Sequence, residues 1–328
     1  MSKKNNITIK DVAKQAGVSI SVVSYVLNDT PGKTISRETR ERVFEAAKQL
    51  NYVPNKIACG MRRKKAFSLG VVSYWDIEGS VFMAFLSGIS SVAGRNNYSV
   101  VFCNNSVKQD NFNYINYYLD KTVDGIIFIS PHESLGSINE SLHIAKMKQA
   151  NVPFVIMNGH TNEKDVSYIN IDFEGSTYIA TRYLIEKGHK DIVYVSPFSP
   201  SYMEIRERYN GYCRAMAEEK LIPKAYDVSE VASNIKDFKA VVTNKSDTAH
   251  TIMVEALKQN LSIPDDFVII AGNTESYSEY LFPPLSTVMI PAKKMGETAA
   301  EKLLDIISGD TKPVTITHKC SLQIRGSC

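Results

Sequence analysis

The sequence predicts a small all-α helix-turn-helix headpiece followed by an α/β two-lobed core whose parallel sheets are flanked by helices. Three observations predict it. Residues 1–65 carry 14 Lys+Arg against 5 Asp+Glu, a net +9, whereas the remainder carries 24 against 30, a net −6. Two short amphipathic segments meet at Gly17, a residue type that takes the positive φ of a tight turn without strain. From Phe67 onward, short β-rich apolar runs alternate with helical patterns, the signature of parallel sheets covered on both faces. More than ten such elements are too many for one ordinary sheet, so the core divides into two similar lobes.

The 328 residues, 44% hydrophobic, suffice for two or three packed domains and exclude disorder as the main state. No apolar run reaches the length of a membrane span. The opening MSKKNNITIK lacks the apolar stretch of a secretory signal, so a cytoplasmic protein with no membrane partner is expected. Cys59, Cys103, Cys213, Cys320 and Cys328 are widely spread and form no CxxC pair; reduced thiols are expected rather than disulfides or a zinc site. The six histidines are scattered without ligand spacing, and GxGxxG, GxxxxGK, HExxH and GxSxG are all missing. SNIK at 233–236 fits Ser-x-x-Lys but lacks its companion motifs. No enzyme, catalytic residue, cofactor or metal is expected.

The headpiece assembles as follows. Thr8 can cap a helix over residues 9–16, with Asp11 in the capping-box position. Ala13 and Gly17 bracket the turn. Ser19 can cap the second helix, in which Val22, Val23, Val26 and Leu27 form a buried stripe. Its other face carries Ile20, Ser21, Ser24, Tyr25 and Asn28, where solvent alone favours lysine or glutamate. A third helix, about 37–50, is capped by Ser36 and buried through Val43, Ala46, Ala47 and Leu50. In a helix-turn-helix the second helix enters the DNA major groove. Ile20 then meets a thymine methyl, Ser21 a base edge, and Tyr25 either one. Ser19, Ser24 and Asn28 suit phosphate oxygens. The alternative is that Ile20 and Tyr25 merely pack on a neighbouring helix. A basic linker, NKIACGMRRKK, follows; Gly60 costs about 1 kcal/mol in a helix, so this segment folds only when held.

In the core, SLGVVSY, YSVVFCN, DGIIFIS, PFVIMN, DIVYVS, KAVVTN and FVIIAGN read as strands. Helical patterns fall at 81–95, 138–150, 176–187, 207–220 and 248–260. Ligands of such sheets bind beyond the carboxyl ends of the strands, and a cleft between lobes is the natural pocket. Asn158, Asn244 and Asn273 end three strands, Asp172 follows YINI, and Arg208 lies in RERYNGY. Asparagine also ends strands because it tolerates turns; three together favour a hydrogen-bonding cleft.

TIKDVAKQAGVSISVVSYVLN and ISRETRERVFEAAKQLNYVPN closely resemble the DNA-binding headpiece of the lactose-repressor (LacI/GalR) family of bacterial transcriptional regulators. VDGIIF, YINIDFEG, LIEKGHKDIVYV, RYNGY, IPDDFVIIAGN, PPLSTV and LQIRGSC extend the resemblance over the whole chain. The resemblance implies a headpiece at 1–54, a hinge helix at 55–66, and an effector-binding and dimerisation core at 67–328 like the periplasmic sugar-binding proteins. Lobe one is placed at about 67–165 with 290–311, and lobe two at about 166–289 with 312–328. By matched position Ile20, Ser21 and Tyr25 read bases, Thr8, Ser19, Ser24, Asn28, Ser36, Tyr52 and Asn55 contact phosphates, and Met61 stands at a minor-groove wedge. Asn158, Asp172, Arg208, Asn244 and Asn273 line the effector cleft, with Phe82 as a stacking wall.

There are departures. Val22 stands where the family often has threonine, and Tyr25 where it commonly has arginine or histidine. Asn158 and Asn273 replace aspartates usual in sugar-binding members, and Lys245 another, which points to a less anionic cleft suited to a sugar phosphate, another acidic metabolite or a base. The implied function is a homodimeric repressor on a near-palindromic double-stranded DNA operator, controlled by a small-molecule effector such as a sugar or sugar phosphate. Two alternatives stay open: a catabolite-control type with a protein co-effector, and a solute-binding receptor. Effector binding would alter the angle between lobes and so the spacing of the two linkers.

Overall fold

The computed structural model describes residues 7–27, 32–52, 65–73, 79–103, 111–130, 139–197 and 203–328. Most of the linker, including Asn55 and Met61, lies outside the described residues, as do Asn28, Tyr74 and Trp75. The chain divides into two units, residues 1–66 and 67–328.

The first unit holds α1 (Ile9–Ala16), α2 (Ile20–Leu27) and α3 (Arg37–Gln49). At the start of α1 the Asp11 carboxylate accepts from both Thr8 N, at 2.8 Å, and Thr8 Oγ1, at 2.7 Å. The helix ends at Gly17 (φ 65°), and Val18 N closes the turn by donating to Ala13 O at 3.1 Å. Ser19 Oγ accepts from Val22 N at 3.3 Å and Ser36 Oγ from Thr39 N at 3.3 Å, so both serines cap the helices that follow them. Val12, Val23, Val26 and Val43 fill the centre, while Ala13, Ala16, Ala46 and Ala47 let the helices approach.

The second unit contains two six-stranded sheets. Its elements in order are β1 (Ser68–Ser73), α4 (Ser80–Arg95), β2 (Ser99–Phe102), α5 (Tyr114–Leu119), β3 (Gly125–Ile129), α6 (Glu140–Gln149), β4 (Phe154–Met157), β5 (Tyr168–Ile171), α7 (Phe173–Glu186), β6 (Ile192–Val195), α8 (Met203–Glu218), β7 (Lys224–Tyr226), α9 (Val228–Ser233), β8 (Ala240–Thr243), α10 (Ser246–Lys258), β9 (Val268–Ala271), β10 (Ser286–Met289), α11 (Ala292–Ser308), β11 (Thr315–His318) and β12 (Ser321–Gln323). The first sheet runs β11-β5-β4-β3-β1-β2, all parallel. The second runs β12-β10-β9-β8-β6-β7, parallel except for the β10–β12 pair.

The pleat sends alternate residues to opposite faces. In lobe one Val71, Ile127 and Val155 pack under α4 and α11, and Val72, Ile126, Phe128 and Ile156 under α5 and α6. In lobe two Val193, Val241 and Ile269 meet α9 and α10, and Tyr194, Val242 and Ile270 meet α7 and α8. The final residues are stitched in: Ser327 Oγ donates to Ile269 O at 2.6 Å and accepts from Ser286 N at 2.8 Å.

The lobe boundaries expected at 165/166 and 311/312 are corrected. β5 pairs with β4, and β11 with β5, so residues 168–171 and 315–318 belong to lobe one. The chain crosses between lobes after β5, after β10 and after β11. Among the described residues, no helix is long and apolar enough to cross a membrane, and Cys103, Cys213, Cys320 and Cys328 are unpaired.

Glycines set the closest helix contacts. A Cβ on Gly88 of α4 would stand 2.0 Å from Lys293 O, and one on Gly296 of α11 2.1 Å from Phe85 O. In lobe two, a Cβ on Gly211 of α8 would stand 1.9 Å from Glu174 O. Gly88→Ala must push α4 from α11 and should cost about 1–3 kcal/mol, seen as a lower urea midpoint for the core transition. An unchanged midpoint would show that the two helices separate freely.

Candidate functional site

On α2, Val23 and Val26 are buried while Ser21 is exposed and Ser24 and Tyr25 are half-buried. The Tyr25 ring has Lys33 Nζ 5.4 Å from its centroid, which places a cation beside the face expected to read bases. Ile20 divides its surface, packing partly against the headpiece core. The expected phosphate contacts differ in what they can offer. Ser19 Oγ only accepts within its cap, leaving its proton for a phosphate oxygen. Thr8 Oγ1 donates to Asp11, whose carboxyl those Thr8 bonds hold below the usual range, and Ser36 Oγ donates to Thr39 Oγ1 at 2.9 Å. Tyr52 packs on the core.

In the core a cavity of about 250 Å³ opens at the carboxyl ends of β4, β5 and β11 and the start of α7. Two of the expected effector residues line it, Asn158 and Asp172. Asn158 has φ 54°, a left-handed conformation that asparagine tolerates. Its Oδ1 accepts from Ile171 N at 3.2 Å, and its Nδ2 is buried without a partner. Asp172 caps α7, Oδ1 accepting from Gly175 N at 2.7 Å.

Sequence reasoning missed the remaining polar walls, His160, Asn162, Asn170, Glu174, Glu207 and Thr317. His160 and Asn162 come from the loop after β4, Asn170 and Thr317 from β5 and β11, and Glu174 and Glu207 from α7 and α8; none has a local pattern that marks it as facing the cavity. Burial, and then the neighbouring charge of Glu174, push the Glu207 carboxyl up. The expectation of a less anionic cleft is not met here. Among the described residues, Asp172, Glu174 and Glu207 line the cavity and no lysine or arginine does.

Behind this wall lies Glu140, buried at the start of α6. Its carboxylate accepts from Ser130 Oγ, Thr161 Oγ1, His160 N at 3.2 Å and Thr161 N at 3.0 Å. It also lies 3.2 Å from His160 Nδ1. Glu140 therefore fixes the loop that follows Asn158.

Arg208, Asn244 and Asn273 gather at the carboxyl edge of the second sheet. Arg208 is 1% exposed. Its Nη1 donates to Ser176 Oγ at 3.1 Å and to Gly272 O. Its guanidinium lies 4.9 Å from the centroid of Phe173, a cavity wall. Arg208 Nε is 3.5 Å, and Lys245 Nζ 3.8 Å, from the same Glu204 Oε1, so both cations face one carboxylate. Asn244 Oδ1 accepts from Thr248 Oγ1 at 2.8 Å, and Asn273 Oδ1 from Ser246 N at 2.7 Å. Phe82, expected as a stacking wall, is instead a core residue on the buried face of α4, with its ring edge-on to Phe102 at 6.0 Å. Among the described residues, no group of three or more His, Cys, Asp or Glu could hold a metal.

A helix-turn-helix unit joined to a two-lobed α/β core with polar strand ends defines a DNA-binding regulator controlled through its core. Residues 8–55 match the bacterial regulatory proteins of the lacI family, and residues 181–328 a periplasmic binding protein-like domain. The HTH-type transcriptional repressor PurR of Vibrio campbellii is 31% identical over 315 residues, 92% of each chain. Catabolite control protein A of Priestia megaterium is 29% identical over 328 residues, covering 95% of this chain and 96% of its own. The lac repressor dimer bound to operator and the anti-inducer ONPF shares the fold, with a TM-score of 0.77 at 22% identity over 98% of this chain and 99% of that one. The chain belongs to the LacI family of bacterial regulatory proteins and is a transcriptional regulator, not an enzyme.

Because the folded Glu207 carboxyl binds its proton more tightly than an ordinary one, its contribution to stability is lost as pH rises through its raised pKa. Glu207→Gln should therefore raise the melting temperature at pH 8, with the gap closing near pH 4, as thermal scans across that range would record.

Proposed function

We propose that this regulator is a cytoplasmic homodimeric repressor of a near-palindromic operator, released or recruited by a neutral, hydroxyl-rich small molecule of the sugar class. Ile20, Ser21 and Tyr25 read base edges. Ser19 and Ser24 contact phosphates, with Thr8, Ser36, Tyr52, Asn28 and Asn55 as further phosphate positions and Met61 as the wedge. Two-fold pairing of headpieces matches a two-fold operator, and the lac repressor's solved assembly on operator as a dimer supports that reading.

The observation that carries the ligand class is the composition of the cavity wall. Asp172, Glu174 and Glu207 line the same cavity as Asn158, whose Nδ2 is buried without a partner, and among the described residues the wall contains no lysine or arginine. Carboxylates accept strongly from sugar hydroxyls, whereas a phosphate would meet them as a like charge. Arg208, facing Glu204 from behind Phe173, acts as a brace beneath the site. The similarity to catabolite control protein A supports a second reading, in which a protein co-effector acts as well; a pull-down from lysate with and without sugar separates the two.

Tyr25→Ala should weaken operator binding by about 1–3 kcal/mol and relax sequence choice, measured by competition between operator and random duplex. Equal loss on both would contradict base reading. Asp172→Asn keeps the helix cap and removes the charge. Calorimetric titration with monosaccharides and their phosphates should show neutral sugars binding about tenfold more weakly to this variant. Tight binding of the phosphates alone to the unaltered chain would reverse the ligand assignment.

A further inference from the structure

Asn273 ends β9 in lobe two with both sides of its amide committed. Oδ1 accepts from Ser246 N at 2.7 Å, and Nδ2 donates to Glu275 Oε1 at 3.0 Å. The other oxygen of that carboxylate, Oε2, accepts from Ser80 Oγ at 2.7 Å. Ser80 is the first residue of α4 in lobe one, 195 positions away in sequence. Glu275 therefore spans the two lobes through its side chain. The bond from Asp172 N to His318 O, at 3.0 Å, by contrast only extends the β5–β11 ladder within lobe one. The Glu275 loop is itself held: Glu275 N donates to Ser278 Oγ at 3.1 Å, and Ser278 Oγ to Ser246 Oγ at 3.2 Å.

We propose that Glu275 is a clasp and positioning residue: its carboxylate ties the lobes together while orienting the Asn273 amide at the edge of the second sheet, outside the lined cavity, so that a ligand reaching across the cleft to Asn273 competes with the tie. This rests on the cleft being the ligand site. The chemistry requires asparagine at 273. An amide NH₂ gives Glu275 a donor, whereas aspartate would set two carboxylates about 3 Å apart, and like charges at that distance repel strongly. The amide that departs from the sugar-binding pattern at this position is thus the partner Glu275 needs. A ligand oxygen that accepts from Asn273 Nδ2 takes that hydrogen bond from Glu275 Oε1 and leaves the carboxylate held by Ser80 alone.

Hydrogen–deuterium exchange on the full chain without ligand tests the clasp through two segments, 79–84 in lobe one and 272–278 in lobe two. Ser80→Ala should speed exchange in 272–278, and Glu275→Ala in 79–84, each about five- to tenfold, the size of one partly exposed hydrogen bond to a charged group. The double variant should exceed neither single variant, because both remove the same bond. Glu275→Gln can accept from Asn273 and donate to Ser80 once the hydroxyl turns, so it should restore protection. Asn273→Asp should reproduce the loss in 79–84. Acceleration confined to the mutated lobe, or additive effects in the double variant, would overturn the clasp. Since the measurement uses no ligand, its outcome is separable from whether the cleft binds a sugar.

Discussion

A strand covered on both faces can offer polar groups only where it ends, and this constraint organises the whole core. Every residue of β3, β6, β8 and β9 is buried. Their side chains are spent on the helices above and below, leaving no face for ligand chemistry. Because neighbours run parallel, the carboxyl ends of each sheet collect along one edge. Asn158, Asn244 and Asn273 stand at those ends, each one residue or two beyond its strand. Asp172 occupies the single position between β5 and α7, where it both caps a helix and faces the cavity.

Polar groups concentrated at a sheet edge create a second demand, since a buried charge costs several kcal/mol unless it is paired and hydrogen-bonded. Glu140 meets this with donors from two segments, Ser130 and the 160–161 loop, and the same bonds hold the loop beyond Asn158 in one conformation. Arg208 meets it with Ser176, Gly272 and an aromatic face. Both residues are therefore rigidifying elements, and both stand one layer behind the cavity surface. Lys245 is more exposed, and its pairing with Glu204 at 3.8 Å is correspondingly weak.

The headpiece was legible in the sequence almost residue by residue. Caps at Ser19 and Ser36, a positive-φ glycine and a valine stripe all act within a few positions, where local chemistry decides conformation. The central strands were legible for a related reason, since burial on both faces forces continuous apolar runs. Two of the edge strands gave no such signal: β11 reads TITH, largely exposed, and β12 is three residues long. That is why the 311/312 boundary was misplaced, whereas the one at 165/166 failed because the partner of β5 is settled by non-local pairing with β4 and β11. Within the cavity, Asn158 and Asp172 could be found because they end strands, whereas His160 and Glu207, like Glu275 outside it, owe their positions to contacts between segments far apart in sequence. Phe82 was misassigned for the converse reason, because an aromatic residue on an amphipathic helix packs into a core or lines a cleft with the same local pattern.

The interleaving of the two sheets also has a bearing on biosynthesis. Lobe one needs β11 to complete its edge and lobe two needs β12 and the Ser327 stitch, so the first sheet cannot close before the ribosome has passed residue 318, nor the second before residue 327. The three-helix unit requires only the first fifty or so residues. During translation, the portion that grips nucleic acid can mature while the sensing portion is still an incomplete, edge-exposed intermediate. For a nascent chain emerging near its own chromosome, the capacity to bind therefore precedes the capacity to be regulated.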